Sequence, residues 1–347
     1  MVADDRVTAD QAYRLASEGT ALLWRSDFQN ARQLLSAMAR RIDRHPPKQG
    51  ATPTETFNLY RMAQGQRART LGRLLIPFDA GHAIPLPRAP DVREACTEAW
   101  GEAKDRYVAS LRELLGAIGA HEWRKNGVEI AALGSRIHPH YGVFSPVRGE
   151  YIELLAAAPL PAALSASNVA FDVGTGTGVL AALLAKRGVA RVVATENEAH
   201  ALACARENIA RLKLKSTVEL VEANFFPPGK AALIVCNPPW LPGRAATALE
   251  HTVYDPESRM LRGFISGLAA HLVAGGEGWL ILSDLAEHLG LRKRDELLAW
   301  FEQAGLNVID RSDVKPRHPK AADEADPLHA ARRAEMTSLW RLAARQR

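Results

Sequence analysis

The tightest constraint on this chain lies at residues 169–178. A strand-like run, Val169-Ala170-Phe171-Asp172-Val173, breaks at once into Gly174-Thr175-Gly176-Thr177-Gly178, and a helical run from Val179 to Arg187 follows with no spacer. Glycine suits a backbone that must turn sharply or approach a ligand closely. Such a turn leaves amide N–H groups free at the helix N-terminus, where they can bind polar ligand atoms. The same strand-turn-helix grammar continues downstream. Arg191 to Thr195, Thr217 to Val221, Leu233 to Cys236 and Gly278 to Leu282 read as strands, with helices at Ala199 to Leu212 and Met260 to Val273. This alternation predicts an α/β fold with a parallel sheet covered by helices on both faces. Leu306 to Ile309 and Thr337 to Leu342 read as two late strands around a polar, proline-containing stretch, a hairpin-like pair that would make one edge of the sheet antiparallel.

Glycine spacing separates two cofactors. A dinucleotide fingerprint is G-x-G-x-x-G. Here Val179 stands at the place of the third glycine, and the glycine comes one residue early. Asp172 also precedes the first glycine by two positions. The second strand runs into Thr195-Glu196-Asn197, so Glu196 lies about 20 residues past the loop, where an acidic side chain can accept hydrogen bonds from ribose hydroxyls. The third strand leads to Glu222-Ala223-Asn224-Phe225-Phe226.

The fourth strand, Leu233 to Cys236, runs straight into Asn237-Pro238-Pro239-Trp240. Two prolines stiffen the backbone and remove two N–H donors. What remains is a turn that displays carbonyl acceptors, one amide and one flat ring. An NH₂ group on a planar system is a poor nucleophile because its lone pair is delocalised. Hydrogen bonds from it to the Asn237 side chain and the Pro238 carbonyl would strengthen as positive charge develops on nitrogen. Trp240 would stack on the planar group and align it.

Together the loop and the turn resemble class I S-adenosylmethionine-dependent methyltransferases, within them the "methyltransferase small" RNA enzymes and the glutamine-N5 protein methyltransferases, which carry an Asn-Pro-Pro-aromatic motif. The resemblance covers residues 137–347. It implies a Rossmann-like, mostly parallel seven-stranded sheet with an antiparallel edge, and S-adenosyl-L-methionine as cofactor. It implies that Asp172, Gly174, Thr175, Gly176 and Gly178 flank the methionine part, with Asp172 on its ammonium. Glu196, Asn197, Asn224, Phe225 and Asn237 complete the implied cofactor site, and Asn237, Pro238, Pro239 and Trp240 the catalytic turn. Asn224 departs from the aspartate common at that place, although its amide oxygen can still accept a hydrogen bond. Tyrosine or phenylalanine is commoner than tryptophan at the position of Trp240. Gly142-Val143-Phe144-Ser145-Pro146 resembles the segment that covers the cofactor in these enzymes, which makes Phe144 and Ser145 candidate substrate contacts. No metal set is expected, and His138 and His140 read as loop residues.

Residues 1–133 read as a mainly helical N-terminal domain and residues 134–347 as the methyltransferase domain. Ala31, Leu34, Leu35, Met38 and Ile42 share one helical face that His45-Pro46-Pro47 ends. A second helix is expected from Pro53-Thr54-Glu55 to about Ile76, and a third from Val92 to Trp123, broken near Gly116 or Gly119. In enzymes of the resembled family an extra N-terminal domain chooses the substrate. Arg61, Arg67, Arg69 and Arg73 read as a solvated helix surface, and Arg292-Lys293-Arg294 as a charged helix start.

Composition narrows the setting. The net charge is +5 and the pI near 9.2, permissive for nucleic acid without requiring it. Cys96, Cys204 and Cys236 form no C-x-x-C pair, which fits a reducing compartment. The start, Met1 to Arg6, lacks the pattern of a signal peptide, and no run of about 18 apolar residues marks a membrane span. The reading is a cytoplasmic N-methyltransferase whose acceptor is a macromolecule, either a protein glutamine or an RNA base (adenine N6 or guanine N2). The alternatives from other classes are a nicotinamide-dependent Rossmann oxidoreductase and a non-catalytic partner-binding subunit.

Overall fold

The computed structural model describes residues 1–244, 253–317 and 323–345. It divides into two compact units, Met1–Lys125 and Asn126–Arg347, so the division falls ahead of the expected boundary at 133/134.

The first unit contains β1 (Val2–Ala3), α1 (Ala9–Ser17), β2 (Leu22–Trp24), α2 (Phe28–Asp43), α3 (Pro53–Leu71), β3 (Leu74–Phe78), α4 (Arg93–Trp100), β4 (Tyr107–Ser110) and α5 (Leu111–Asn126), whose last residue crosses the division. Helix starts follow local chemistry. Thr8 and Gln11 form a reciprocal capping box on α1, the Asp27 carboxylate accepts the Gln29 and Asn30 amides on α2, and Thr52 caps α3 ahead of Pro53. Helices dominate this unit, as expected, but they pack on a four-stranded sheet, β1-β2-β3-β4, that the sequence reading missed. The expected second helix stops at Leu71, with Gly72 as its cap, and Leu74–Phe78 is a strand. The expected third helix is two, separated where Gly101 takes φ 78° and β4 intervenes. Apolar runs of three to five residues carry no period long enough to tell strand from helix. Leu22, Trp24, Phe28, Met38, Leu74, Ile76 and Leu111 form the buried centre.

The second unit opens with a hairpin, β5 (Val128–Ile130) and β6 (Ser135–Ile137), followed by α6 (Glu150–Ala157). Then come β7 (Val169–Val173), α7 (Val179–Lys186), β8 (Arg191–Glu196), α8 (Ala199–Arg211), β9 (Val218–Glu222), β10 (Ala231–Cys236), β11 (Leu241–Pro242), β12 (Tyr254–Asp255), α9 (Arg259–His271) and β13 (Leu272–Ser283). The chain ends with α10 (Leu285–His288), α11 (Arg294–Gln303), β14 (Leu306–Val314), α12 (His329–Ala334) and β15 (Thr337–Ala344). Among the described residues, seven strands form one sheet in the order β14-β15-β13-β10-β7-β8-β9. Neighbours from β13 to β9 are parallel. β15 pairs antiparallel with both β13 and β14. The two late strands therefore pair as expected, but β15 is inserted and β14 takes the edge.

Parallel strands covered on both faces read as continuous apolar runs. β10 is the clearest case, with all of Ala231–Cys236 buried. Successive side chains alternate between faces: Leu233 and Val235 join one core with α6 and α7, while Ile234 and Cys236 join the other with α9 and α11. The chain leaves β7 toward β8 and β9, then returns to β10 on the other side. This reversal opens a crevice at the carboxyl ends of β7 and β10, where ligands bind in open α/β sheets.

α9 lies close on the sheet because Gly278 of β13 has no side chain: a Cβ there would overlap Leu268. Gly278→Ala is expected to overpack this contact and destabilise the protein by about 1–3 kcal/mol. Urea unfolding should show a lower midpoint with an unchanged slope; an unchanged midpoint would contradict the close approach.

Candidate active site

The glycine loop leaves β7 and starts α7. Gly174, Gly176 and Gly178 take φ 73°, 54° and 81°, in the left-handed region that glycine enters without steric cost. The Gly174 and Thr175 amides both donate to the Thr195 carbonyl, at 3.0 and 2.9 Å, so β8 holds the start of the loop. Gly176 faces open space, with no atom within 4 Å of where a Cβ would stand. Asp172 organises the rest. Its Oδ2 accepts the Thr175 hydroxyl at 2.6 Å and the Ala181 amide at 3.0 Å, which ties strand, loop and helix together. Its Oδ1 is buried and has no hydrogen-bond partner among the described residues. Burial pushes the carboxyl up to about 6 against those two hydrogen bonds, and the Glu196 charge adds to the rise.

Glu196 is already engaged. Oε2 accepts the Gly176 amide at 3.0 Å, and Oε1 accepts the amides of Asn197 and Glu198 at 3.0 and 3.2 Å. A carboxylate has about four acceptor positions, so one remains for a ligand. Asn197 and Asn224 are exposed. Phe225 is a non-glycine residue at φ 68°, its carbonyl accepts the Thr195 hydroxyl at 2.6 Å, and its ring lies against Gly263 of α9. Phe226 sits on Gly267 and stacks on His271 with ring centres 4.3 Å apart. The two glycines, one turn apart on α9, make room for these rings.

Asn237-Pro238-Pro239-Trp240 leaves β10, the strand paired to β7, at the same carboxyl edge as the loop. The Trp240 indole N–H donates to Asn237 Oδ1 at 2.9 Å. The ring is half-buried against both cores, and the Arg148 guanidinium lies over it, 5.3 Å from its centre. Instead of presenting a bare stacking face, the tryptophan fixes the asparagine and carries an arginine. Arg148 donates from Nε to Glu150 at 2.9 Å and from Nη2 to Glu335 at 3.3 Å; Glu335 also accepts the Ser283 hydroxyl at 2.7 Å. Both carboxylates are buried. The sequence reading missed this network because Glu335 is distant in the chain and no local spacing joins it to Arg148.

Phe144 is partly buried, 6.3 Å from the Tyr151 ring, and the Ser145 hydroxyl is buried with no hydrogen-bond partner among the described residues. Tyr151 is buried, and burial together with the Asp172 charge pushes its phenol well up, so α6 brings that ring toward the loop. His138 and His140 are bound to α8. Asn208 accepts the His138 amide and donates to the carbonyls of His138 and Thr177, and His140 pairs with Glu207 at 3.0 Å. Two further residues went unnoticed in the sequence. Asp255 accepts the Met260 and Leu261 amides at the start of α9, and Met260 packs its methyl group where a Gly174 side chain would stand.

The family model described as "Methyltransferase small domain" matches residues 134–304. A tRNA1(Val) (adenine(37)-N6)-methyltransferase of Bacteroides thetaiotaomicron is 38% identical over 168 residues, 45% of this chain and 68% of that protein. The chain belongs to the class I S-adenosylmethionine-dependent methyltransferases. A release factor glutamine methyltransferase of Cereibacter sphaeroides is 35% identical over 149 residues, 39% of this chain and 51% of that protein. A ribosomal protein L11 methyltransferase of Sorangium cellulosum is 28% identical over 223 residues, 58% of this chain and 63% of that protein. The matches thus span from about half to about two thirds of these relatives' lengths. S-adenosyl-L-methionine is the cofactor of this methyltransferase family, and the residues present fit it: an orphaned buried carboxylate oxygen suits an ammonium, and the open side of Gly176 admits a ligand. Nothing supports the nicotinamide alternative.

Asp172 makes a testable contribution to stability. Its folded pKa lies above the unfolded value, so the stability contributed by its proton is fully present below about pH 4 and is lost as pH rises through about 6. Asp172→Asn removes the ionisation, and its amide oxygen can replace Oδ2. In the cofactor-free protein, the stability of this variant relative to wild type should climb between pH 4 and 6 and then level off. Parallel urea curves across this range would expose a flat difference, which would contradict a raised pKa.

Proposed function

We propose that this chain is a cytoplasmic N-methyltransferase that moves the methyl group of S-adenosyl-L-methionine to a planar amide or amino nitrogen of a macromolecule, a protein glutamine or an RNA base (adenine N6 or guanine N2). One observation carries this reading. The rigid turn with Asn237 held by Trp240 stands on the strand beside the glycine loop, at the same sheet edge. Similarity to methyltransferases named for glutamine and for adenine N6 supports the choice of nitrogen.

The bound cofactor supplies a methyl group on a sulfonium, which needs a nucleophile aligned behind it. Asp172 Oδ1 would hold the cofactor's ammonium, the free acceptor position of Glu196 its ribose, and Asn224 with Phe225 its adenine. Among the described residues, Asn237 Oδ1 accepts only the Trp240 N–H and retains a lone pair for one acceptor N–H. The Pro238 carbonyl would take the other. These bonds strengthen as the nitrogen gains positive charge, so they favour the transition state over the ground state. Trp240, with Arg148 on its ring, would act mainly by orienting Asn237. Phe144 and Ser145 would border the acceptor, and the first unit would select it.

Asn237→Ala tests the reading. Tritium from labelled cofactor should pass into a lysate fraction sensitive to either nuclease or protease with the wild type. Transfer should fall roughly a hundredfold or more in the variant, with cofactor affinity largely kept. Full transfer by the variant would remove Asn237 from the mechanism.

A further inference from the structure

The last strand in chain order reaches the Asn237 turn through a buried carboxylate. Glu335 stands between α12 and β15 and is only 2% exposed, so its place is set by protein contacts and not by water. Those contacts come from the end of β13. The Met336 amide donates to Asp284 Oδ1 at 2.7 Å, and the Asp284 amide donates back to the Met336 carbonyl at 3.0 Å, which locks the backbone beside Glu335. The Ser283 hydroxyl accepts the Leu285 amide at 3.0 Å and donates to Glu335 Oε1 at 2.7 Å. The same carboxylate oxygen accepts Arg148 Nη2 at 3.3 Å.

A buried ion pair is weak evidence for stability, because taking its charges out of water offsets most of their attraction. Its effect here is on geometry. Arg148 has a long side chain with several rotatable bonds. Glu150 holds its Nε at 2.9 Å, but Glu150 lies two residues away and belongs to the same stretch of backbone. Glu335 takes a different nitrogen of the fork and comes from a different strand. Two anchors on a planar guanidinium restrict its plane, where one lets it pivot. The group so held lies over the Trp240 ring, 5.3 Å from the centre. That ring needs a partner on its face, since the torsion that turns an indole is broad. Turning it would carry its N–H away from Asn237 Oδ1, which it meets at 2.9 Å.

We infer that Glu335 is a positioning residue for the acceptor turn: it holds Arg148 against Trp240, and Trp240 in turn fixes the orientation of the Asn237 amide. The two prolines stiffen the backbone of the turn but leave the asparagine side chain free to rotate. The indole N–H can only donate, so it selects the amide oxygen over the amide nitrogen and aims the second lone pair of that oxygen. An acceptor aimed in advance counts most in the transition state. Glu335 therefore acts on turnover more than on binding of acceptor or cofactor. This inference rests on the methyl-transfer reading, because it takes Asn237 as the group that meets the acceptor nitrogen.

Two measurements on the full chain test it, one without acceptor and one with. In protein labelled with indole-¹⁵N tryptophan, the Trp240 N–H resonance is identified by its loss in Trp240→Phe. Glu335→Gln keeps the size of the side chain and removes its charge. It should move the Trp240 resonance and leave that of Trp24, whose N–H is bound to the Asp27 carbonyl in the first unit. Arg148→Lys keeps a cation and loses the fork, so it should move the same resonance and reads the coupling even if Glu335→Gln fails to fold. In tritium transfer at saturating cofactor, Glu335→Gln should lower the maximal rate roughly ten- to a hundredfold, the scale of a small misplacement of a reacting group. The half-saturating amount of acceptor fraction should stay nearly unchanged. In a Trp240→Phe background, which has no N–H to aim, Glu335→Gln should cost less than about twofold more. A Trp240 resonance unmoved in both variants would overturn the inference. So would an equal loss of transfer with and without the indole N–H, which marks a carboxylate that serves folding alone. Wild-type protein that transfers no methyl group overturns the methyl-transfer reading, whereas transfer that survives Glu335→Gln at full rate overturns this inference alone.

Discussion

The Asp172 carboxylate, buried at the end of the central strand, connects the parts on which the rest of the site depends. One oxygen gathers the Thr175 hydroxyl and the Ala181 amide, so strand, glycine loop and helix start share a single acceptor. The other oxygen has no partner among the described residues. A carboxylate in that state resists ionisation, and burial pushes it up to about 6. A bound cation would reverse the penalty by supplying the missing charge. If the loop holds the cofactor's ammonium as proposed, the free protein carries this cost and the ligand would relieve it.

The Asn237–Trp240 turn is built on the same plan of one group holding another. Trp240 holds Asn237, Arg148 covers Trp240, and Glu150 and Glu335 hold Arg148. The prolines restrict the backbone of the turn, and the indole N–H restricts its one flexible amide. Preorganisation of this kind matters for a weak nucleophile, since hydrogen-bond acceptors aimed in advance need no reorganisation during transfer.

Sequence legibility followed the range of the signal. The strands from Val169 to Cys236, the glycine turn and the Asn-Pro-Pro-Trp turn are local, and each had its cause within a few residues. The insertion of β15 between β13 and β14 was not legible, because a late pair of strands does not say which of them meets the sheet. The sheet of the first unit was missed because its strands are short and carry no period. Arg148 carries no local signal in the sequence, and Arg292 reads there as part of a charged helix start. Only the fold shows that one is neutralised by Glu335 from the far end of the chain and the other is left without a full set of partners.

The central claim is that the loop from Asp172 to Gly178 is built for S-adenosylmethionine and not for a dinucleotide. Isothermal titration of the full chain with S-adenosylhomocysteine and, separately, with NAD tests it most directly. The account predicts saturable binding of S-adenosylhomocysteine and none of NAD. Binding of NAD with no response to S-adenosylhomocysteine would contradict it.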